Sequence, residues 1–269
     1  MKPLYYTLIT GASQGFGKAL AIDCAKRNMN LFLIDLTGTG LKDLAVFLEE
    51  SFKIKVHFFH MDLSSKAYCE KLLEFVHHQK IEFKFLINNA GVLSTGFFNE
   101  VDINYYLKQI EVNISAPTRL IKLFYDQLKR NSPSGILNVS SLASYFCLPT
   151  KQVYGATKAY LSSLSRSLNL EFKEDQIWVS IVCPGGMNTN PKMCYKNRNM
   201  GWFAKLSVMD PEEVAKITMD AFLNKKEVII PGTINKFYLT LAKLIPQSIS
   251  ERITTIQMNR FRAADLSIG

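Results

Sequence analysis

Thr10-Gly11-Ala12-Ser13-Gln14-Gly15-Phe16-Gly17 decides how this chain folds. An apolar, β-branched run, Leu4–Thr10, leads into it, and a segment of helical period, 15–28, leads out. Glycines between a strand and a helix let the backbone turn tightly and approach a ligand closely. The helix start then offers free N–H groups and the positive end of its dipole, which together suit a pyrophosphate. A glycine cluster alone says little, because turns also collect glycine. Here the strand–turn–helix context is present.

The same alternation continues outward. Leu31–Asp35, Lys55–His60, Phe85–Asn88, Gly135–Ser140, Ile177–Cys183 and Glu227–Ile230 read as strands, several nearly all apolar, as strands covered on both faces are. Helical segments are expected at 40–52, 65–79, 104–130, 152–174 and 211–224. Asp210-Pro211-Glu212-Glu213 opens the last of these with an N-cap residue, Pro at N1 and Glu at N3. The expected fold is α/β, a Rossmann-type, doubly wound, mostly parallel seven-stranded sheet with helices on both faces. Residues 1–232 read as a single domain, with 190–208 as a substrate lid and 233–269 as a C-terminal helical extension.

Composition agrees and excludes alternatives. The 269 residues carry a net charge of +9, with 48% hydrophobic and 20% charged side chains. That is no disordered or low-complexity chain. No apolar run is long enough for a spanning helix, and Met1-Lys2-Pro3 ahead of a β-like run leaves no room for a signal-peptide core. Cys24, Cys69, Cys147, Cys183 and Cys194 are scattered without a C-x-x-C, which points to a reduced, cytoplasmic protein. His57, His60, His77 and His78 lack metal-site spacing, so no metal is expected. The positive charge has no nucleic-acid motif beside it, and no nucleic-acid partner is expected.

Asp35 ends the second strand, 18 residues after Gly17. A carboxylate there can accept from both hydroxyls of an adenosine ribose and would repel a 2′-phosphate. The next residues are Leu36-Thr37-Gly38, with no basic side chain, so NAD(H) is the preferred cofactor and NADP(H) is not excluded. Further on, Tyr154 and Lys158 stand four apart, on one helix face. A phenol near its reference pKa of ~10 shuttles protons poorly at neutral pH, and a neighbouring cation favours the phenolate. Ser141 lies 13 residues before Tyr154, at the C-terminal end of a strand, where open α/β sheets bind ligands.

With these residues in order, residues 4–232 resemble the single-domain branch of the short-chain dehydrogenases/reductases. The motifs are T-G-x-x-x-G-x-G at 10–17, Asp62-Leu63, Asn88-Asn89-Ala90-Gly91, Asn113, Ser141, Tyr154/Lys158 and Pro184-Gly185-x-x-x-Thr189. The resemblance implies that Gly11, Ser13, Gln14, Gly15, Phe16 and Gly17 cradle the dinucleotide phosphates. It implies that Asp62 and Leu63 flank the adenine and that Asn89, Ala90 and Gly91 pass along the cofactor. Pro184, Gly185 and Thr189 would hold its nicotinamide end. Tyr154 would be the general acid or base, Ser141 would bond the substrate oxygen, and Lys158 would bind the ribose and tune Tyr154. Asn113, at a bend in the long helix, would help hold a relay water. Ser140 is a rival to Ser141, and Asn88 is expected to knit neighbouring strands.

The implied activity is reversible reduction of a carbonyl to a secondary alcohol. Val92, Leu93, Leu142, Ala143, Phe146, Leu148 and Met187 would face the reacting carbon, which suits a lipophilic substrate such as a steroid or acyl compound. The lid is read as irregular, rich in Trp202, Phe203 and Leu206, with Lys192, Lys196, Arg198 and Lys205 beside them. In the tail, Phe237, Leu241, Leu244, Ile245, Ile249, Ile253 and Ile256 keep helical spacing among basic residues. Packing on its own domain or a sister subunit is one reading of that stripe, and peripheral membrane contact is another. A homodimer or homotetramer is the family's usual assembly. Two other functions stay open: a sugar-nucleotide epimerase or dehydratase, and a non-catalytic, dinucleotide-sensing regulator.

Overall fold

The computed structural model describes residues 4–65, 67–198 and 206–244. Trp202, Phe203, Lys205 and all of 245–269 lie outside the described residues, as do the side chains of Lys192, Lys196, Leu241, Lys243 and Leu244.

Strands β1 (Tyr5–Thr10), β2 (Asn30–Asp35), β3 (Val56–His60), β4 (Glu82–Asn88), β5 (Ser134–Val139), β6 (Ile177–Val182) and β7 (Val228–Ile229) form one sheet. Their order is β3-β2-β1-β4-β5-β6-β7, and every adjacent pair is parallel. The helices are α1 (Gly15–Lys26), α2 (Leu41–Phe52), α3 (Tyr68–His78), α4 (Ile103–Ile110), α5 (Ala116–Arg130), α6 (Gln152–Glu171), α7 (Pro191–Arg198), α8 (Pro211–Leu223) and α9 (Thr233–Leu244).

Alternation along the strands builds two cores, because successive side chains leave opposite faces. Ile9, Leu31 and Leu33 pack with α1, α2 and α8 residues such as Leu20, Leu48 and Phe222. Leu8, Phe32 and Ile34 pack on the other face with Leu72, Leu120 and Phe124 from α3 and α5. Both faces are therefore covered, which is why β5 is buried along its whole length.

Two expectations are corrected. The segment 190–208, read as irregular, contains the helix α7. The long helix at 104–130 is α4 and α5 joined through a π-helical turn, Glu111–Ser115, rather than one bent α-helix. β1 has β2 on one side and β4 on the other, so the chain direction across the sheet reverses there. Ligands of such sheets bind in the crevice at that point, outside the carboxyl ends of the strands.

Candidate active site

β1 ends at Thr10, whose buried hydroxyl accepts the N–H groups of Asn89 and Ala90, both at 3.0 Å. The Asn89 amide donates back to the carbonyls of Thr10 and Gly11, each at 3.0 Å. The turn after β1 and the segment after β4 are thereby fastened together. Gly11 has φ +64°, a conformation that costs glycine nothing. A Cβ on Gly17 would lie 1.9 Å from the Gly11 carbonyl oxygen, so only glycine fits there. The first turn of α1 has no side-chain cap and no acid. Its unpaired N–H groups and positive dipole end therefore remain available to an anion.

These elements bound a cleft of about 490 Å³. Gly11, Ser13, Gln14, Gly15, Phe16 and Gly17 form its floor, and Asp35, Asp62 and Leu63 stand where β2 and β3 end. Asn89, Ala90, Gly91 and Thr189 close it toward the other half of the sheet. Asp35 accepts the N–H of Ser13 at 2.8 Å and the Ser13 hydroxyl on one oxygen, and the N–H of Leu36 at 2.8 Å on the other. Asp62 accepts the hydroxyl and N–H of Ser64, at 2.7 and 2.9 Å. Those bonds, with Lys108 nearby, hold its carboxyl below the usual range. Lys108 itself faces the cleft from α4. The sequence reading missed it, since nothing marks an exposed helical lysine as a cleft residue. An uncapped helix start at one end and a ribose-height carboxylate at the other form a donor and acceptor set that fits an adenine dinucleotide.

Tyr154, Lys158, Pro184 and Gly185 do not wall this cleft. Gly91 links the two places: a Cβ there would come within 3.4 Å of Lys158 Nζ and 3.5 Å of Asn113 Oδ1. Lys158 is 3% exposed, and its ammonium donates to the Val139 carbonyl at 2.8 Å. It stands 5.7 Å from the centroid of the Tyr154 ring. Ser141 opens a short 3₁₀ turn, Leu142–Ser144, and its hydroxyl accepts the Ala143 N–H at 3.1 Å. Ser140 is buried, with its hydroxyl donating to the Lys158 carbonyl at 2.8 Å, so it braces α6 instead of facing a ligand. Pro184 accepts the Leu142 N–H at 2.9 Å, and a Cβ on Gly185 would strike Asn235 of α9 at 2.8 Å.

Asn113 sits inside the π turn, fully buried. Its Oδ1 accepts the Val92 N–H at 2.8 Å, and its Nδ2 donates to the Val92 carbonyl and to Thr157 Oγ1, both at 3.0 Å. Both ends of its side-chain amide are thus bonded to protein partners. Such widened turns recur at functional sites. Asn88 donates to Asn138 on the adjacent strand at 2.8 Å, the strand-knitting role its position suggested.

The electrostatics correct one expectation. Spacing alone placed a cation where it would make the Tyr154 phenol more acidic. In the folded protein burial dominates and raises that phenol, with hydrogen bonding to Ser141 working the other way. The same burial pushes Lys158 down to about 8. Gln109 and Asn235, both buried, went unnoticed in the sequence, because neither belongs to a motif.

Fold and site together define a dinucleotide-type α/β oxidoreductase. The short chain dehydrogenase family model matches residues 6–199, and the chain belongs to that family. It is 28% identical over 260 residues to 17-beta-hydroxysteroid dehydrogenase 13 of Rattus norvegicus, covering 95% of this chain and 84% of that one. It is 32% identical to a very-long-chain 3-oxoacyl-CoA reductase-like protein of Arabidopsis thaliana, over 66% of this chain and 58% of the relative's length. A short-chain dehydrogenase from Sphingobium yanoikuyae, solved in complex with NADPH, superposes with a TM-score of 0.75 at 27% identity, covering 91% of this chain and 97% of that one. The protein is an oxidoreductase enzyme. Among the described residues no helix is long and apolar enough to cross a membrane.

Proposed function

We propose that the enzyme interconverts a carbonyl and a secondary alcohol on a lipophilic substrate of steroid or acyl type, with NAD(H) preferred over NADP(H). The observation that carries this reading is the grouping of Tyr154 with Ser141 and Lys158 at the carboxyl edge of the sheet, with Lys158 Nζ reaching toward Gly91, which lines the cleft. Gly11 to Gly17, Asp35, Asp62, Leu63 and Asn89 to Gly91 would hold the cofactor, with Pro184, Gly185 and Thr189 at its nicotinamide end. The bound dinucleotide supplies hydride chemistry. Tyr154 gives its phenolic proton to the carbonyl oxygen during reduction and takes one from the alcohol during oxidation. Ser141 bonds that oxygen as negative charge gathers on it. Lys158 binds the ribose hydroxyls and orients the phenol, and Asn113 sets the geometry of the relay.

Asp35, with no basic side chain next to it, supports NAD(H). The NADPH bound to the Sphingobium relative is the counterweight that makes measurement necessary. The hydroxysteroid and 3-oxoacyl names of the relatives support a lipophilic carbonyl. The exposed apolar positions Ile103, Leu107 and Ile110 of α4 support a homo-oligomer, and the scattered cysteines support a cytoplasmic setting. Residues 1–232 act as one catalytic domain with 190–208 as its lid, followed by the extension from 233.

A spectrophotometric NADH-consumption screen over steroid ketones, 3-oxoacyl thioesters, quinones and sugars tests the reading. Turnover of a lipophilic ketone is expected. Tyr154→Phe should lower turnover on that substrate by about 10²–10⁴-fold with the fold intact. A variant that keeps more than about a tenth of wild-type turnover contradicts the assignment.

A further inference from the structure

Gln109 carries no motif, yet it is 0% exposed, unusual for an uncharged polar side chain of that size. Its Nε2 donates to the Val92 carbonyl at 2.8 Å, and its Oε1 accepts the hydroxyl of Ser94, itself 4% exposed, at 2.8 Å. Four residues before it, the Tyr105 hydroxyl donates to the Leu93 carbonyl at 2.9 Å. Four residues after it, Asn113 grips both the N–H and the carbonyl of Val92. Tyr105, Gln109 and Asn113, spaced four apart along α4 and the π turn, thus all bond the chain at 92–94.

The segment after β4 is fastened in two separate halves. Asn89 and Ala90 hang on the Thr10 hydroxyl of β1, and they line the dinucleotide cleft together with Gly91 and Val92, while Leu93 and Ser94 lie beyond its lining. Val92 to Ser94 hang on α4. Among the described residues, none of the bonds that hold the first half involves Gln109, and none of those that hold the second involves Thr10. We propose that Gln109 is a positioning residue that fixes the Val92–Ser94 wall where the dinucleotide cleft passes into the substrate site, without itself lining that cleft, Asn113 holding Val92 independently of it. This inference rests on the reading of Val92 and Leu93 as residues that face the reacting carbon. The physical basis is orientation: two donors on one carbonyl prevent the Val92–Leu93 peptide from rotating, and with it the side chains on either side.

The test uses the full chain. Gln109→Leu removes both bonds at similar volume, and Ser94→Ala removes one, serving as the second variant should the first fail to fold. Amide hydrogen exchange is compared over 92–96 and over 85–90. In Gln109→Leu exchange over 92–96 should quicken at least tenfold, with 85–90 unchanged; Ser94→Ala should give a smaller shift in the same direction. With a carbonyl substrate from the screen, KM for that substrate should rise at least fivefold, kcat should stay within threefold, and the NADH Kd within twofold. Thr10→Val should give the opposite split, with weaker NADH binding and little change in carbonyl KM. Wild-type exchange over 92–96 in both variants overturns the proposal. So does a parallel rise of NADH Kd and carbonyl KM in Gln109→Leu, which would mark a general packing role, and so does faster exchange with unchanged carbonyl KM. If the wild type turns over no carbonyl in the screen, the substrate reading fails, while the exchange comparison still decides whether Gln109 fixes this wall.

Discussion

One oxygen of Asp35 already carries the Ser13 N–H and hydroxyl, so this carboxylate braces the glycine turn while lining the cleft, where we propose it meets the ribose. Removing its charge while keeping its shape should separate the two duties. Asp35→Asn is expected to move the NADH/NADPH ratio of kcat/KM toward NADPH by at least about tenfold, or about 1.4 kcal/mol. Steady-state kinetics with both cofactors checks this. Lys158 makes a prediction of a different sort. Its pKa falls from its ordinary value of 10.5 to about 8 on folding because burial penalises the cation. Between those values the unfolded chain binds the extra proton, so this residue's contribution to stability improves as pH rises from about 8 to about 10.5 and is at its worst below about 8. Without cofactor, the Tm of Lys158→Met minus that of wild type should therefore shrink across that window. A difference that is flat from pH 7 to pH 10 contradicts the shift. The pairing of Tyr154 with Lys158 was legible from a four-residue spacing. The direction of their titration was not, because burial is set by β5 and β6 packing against α6, which spacing does not reveal.

At the level of elements, the strands were readable because both faces of a parallel sheet are covered, which leaves apolar runs bounded by turns. The first helix was readable because its glycines serve chain geometry. Gly17→Ala is the sharpest check of that geometry. A Cβ placed 1.9 Å from the Gly11 oxygen forces the turn open, and a loss of at least about 2 kcal/mol is expected. Calorimetry should show it, with NADH affinity falling in the same variant. α7 was not legible, since its sequence, Pro-Lys-Met-Cys-Tyr-Lys-Asn-Arg, has no apolar stripe to reveal a helix. The N-cap of α8 was placed correctly, but its side chain does something else: Asp210 accepts from Asn188 at 3.1 Å instead of capping its own helix. The π turn was anticipated only as a bend. Within it Asn113 reaches Val92 on one side and Thr157 on the other, long-range partners that a sequence pattern does not carry.

At the scale of the whole molecule, the segment after 232 matters to the motifs before it. Asn235 and Leu239 of α9 are buried, and Asn235 donates to the carbonyls of Pro231 at 2.9 Å and Ser207 at 3.3 Å while packing on Gly185. Ending the chain at 232 should uncover the Pro184-Gly185 segment. The loss of one buried leucine alone, at about 2 kcal/mol, should lower Tm by about 5 °C. A chain ending at 244 should keep α9 and melt close to full length. Vesicle co-sedimentation of full-length protein against the 1–244 form then isolates any membrane role of the tail from a folding defect. The strictly parallel sheet has a practical corollary for anyone who wants to mount this protein on a support. All strands run the same way, so the strand ends that border the cleft share one rim, and Tyr5 starts β1, an interior strand, on the opposite one. Six residues of strand put roughly 20 Å between the two rims. A tether fused ahead of β1 would leave from the far side, and a layer of immobilised molecules would present their mouths outward to the bathing solution.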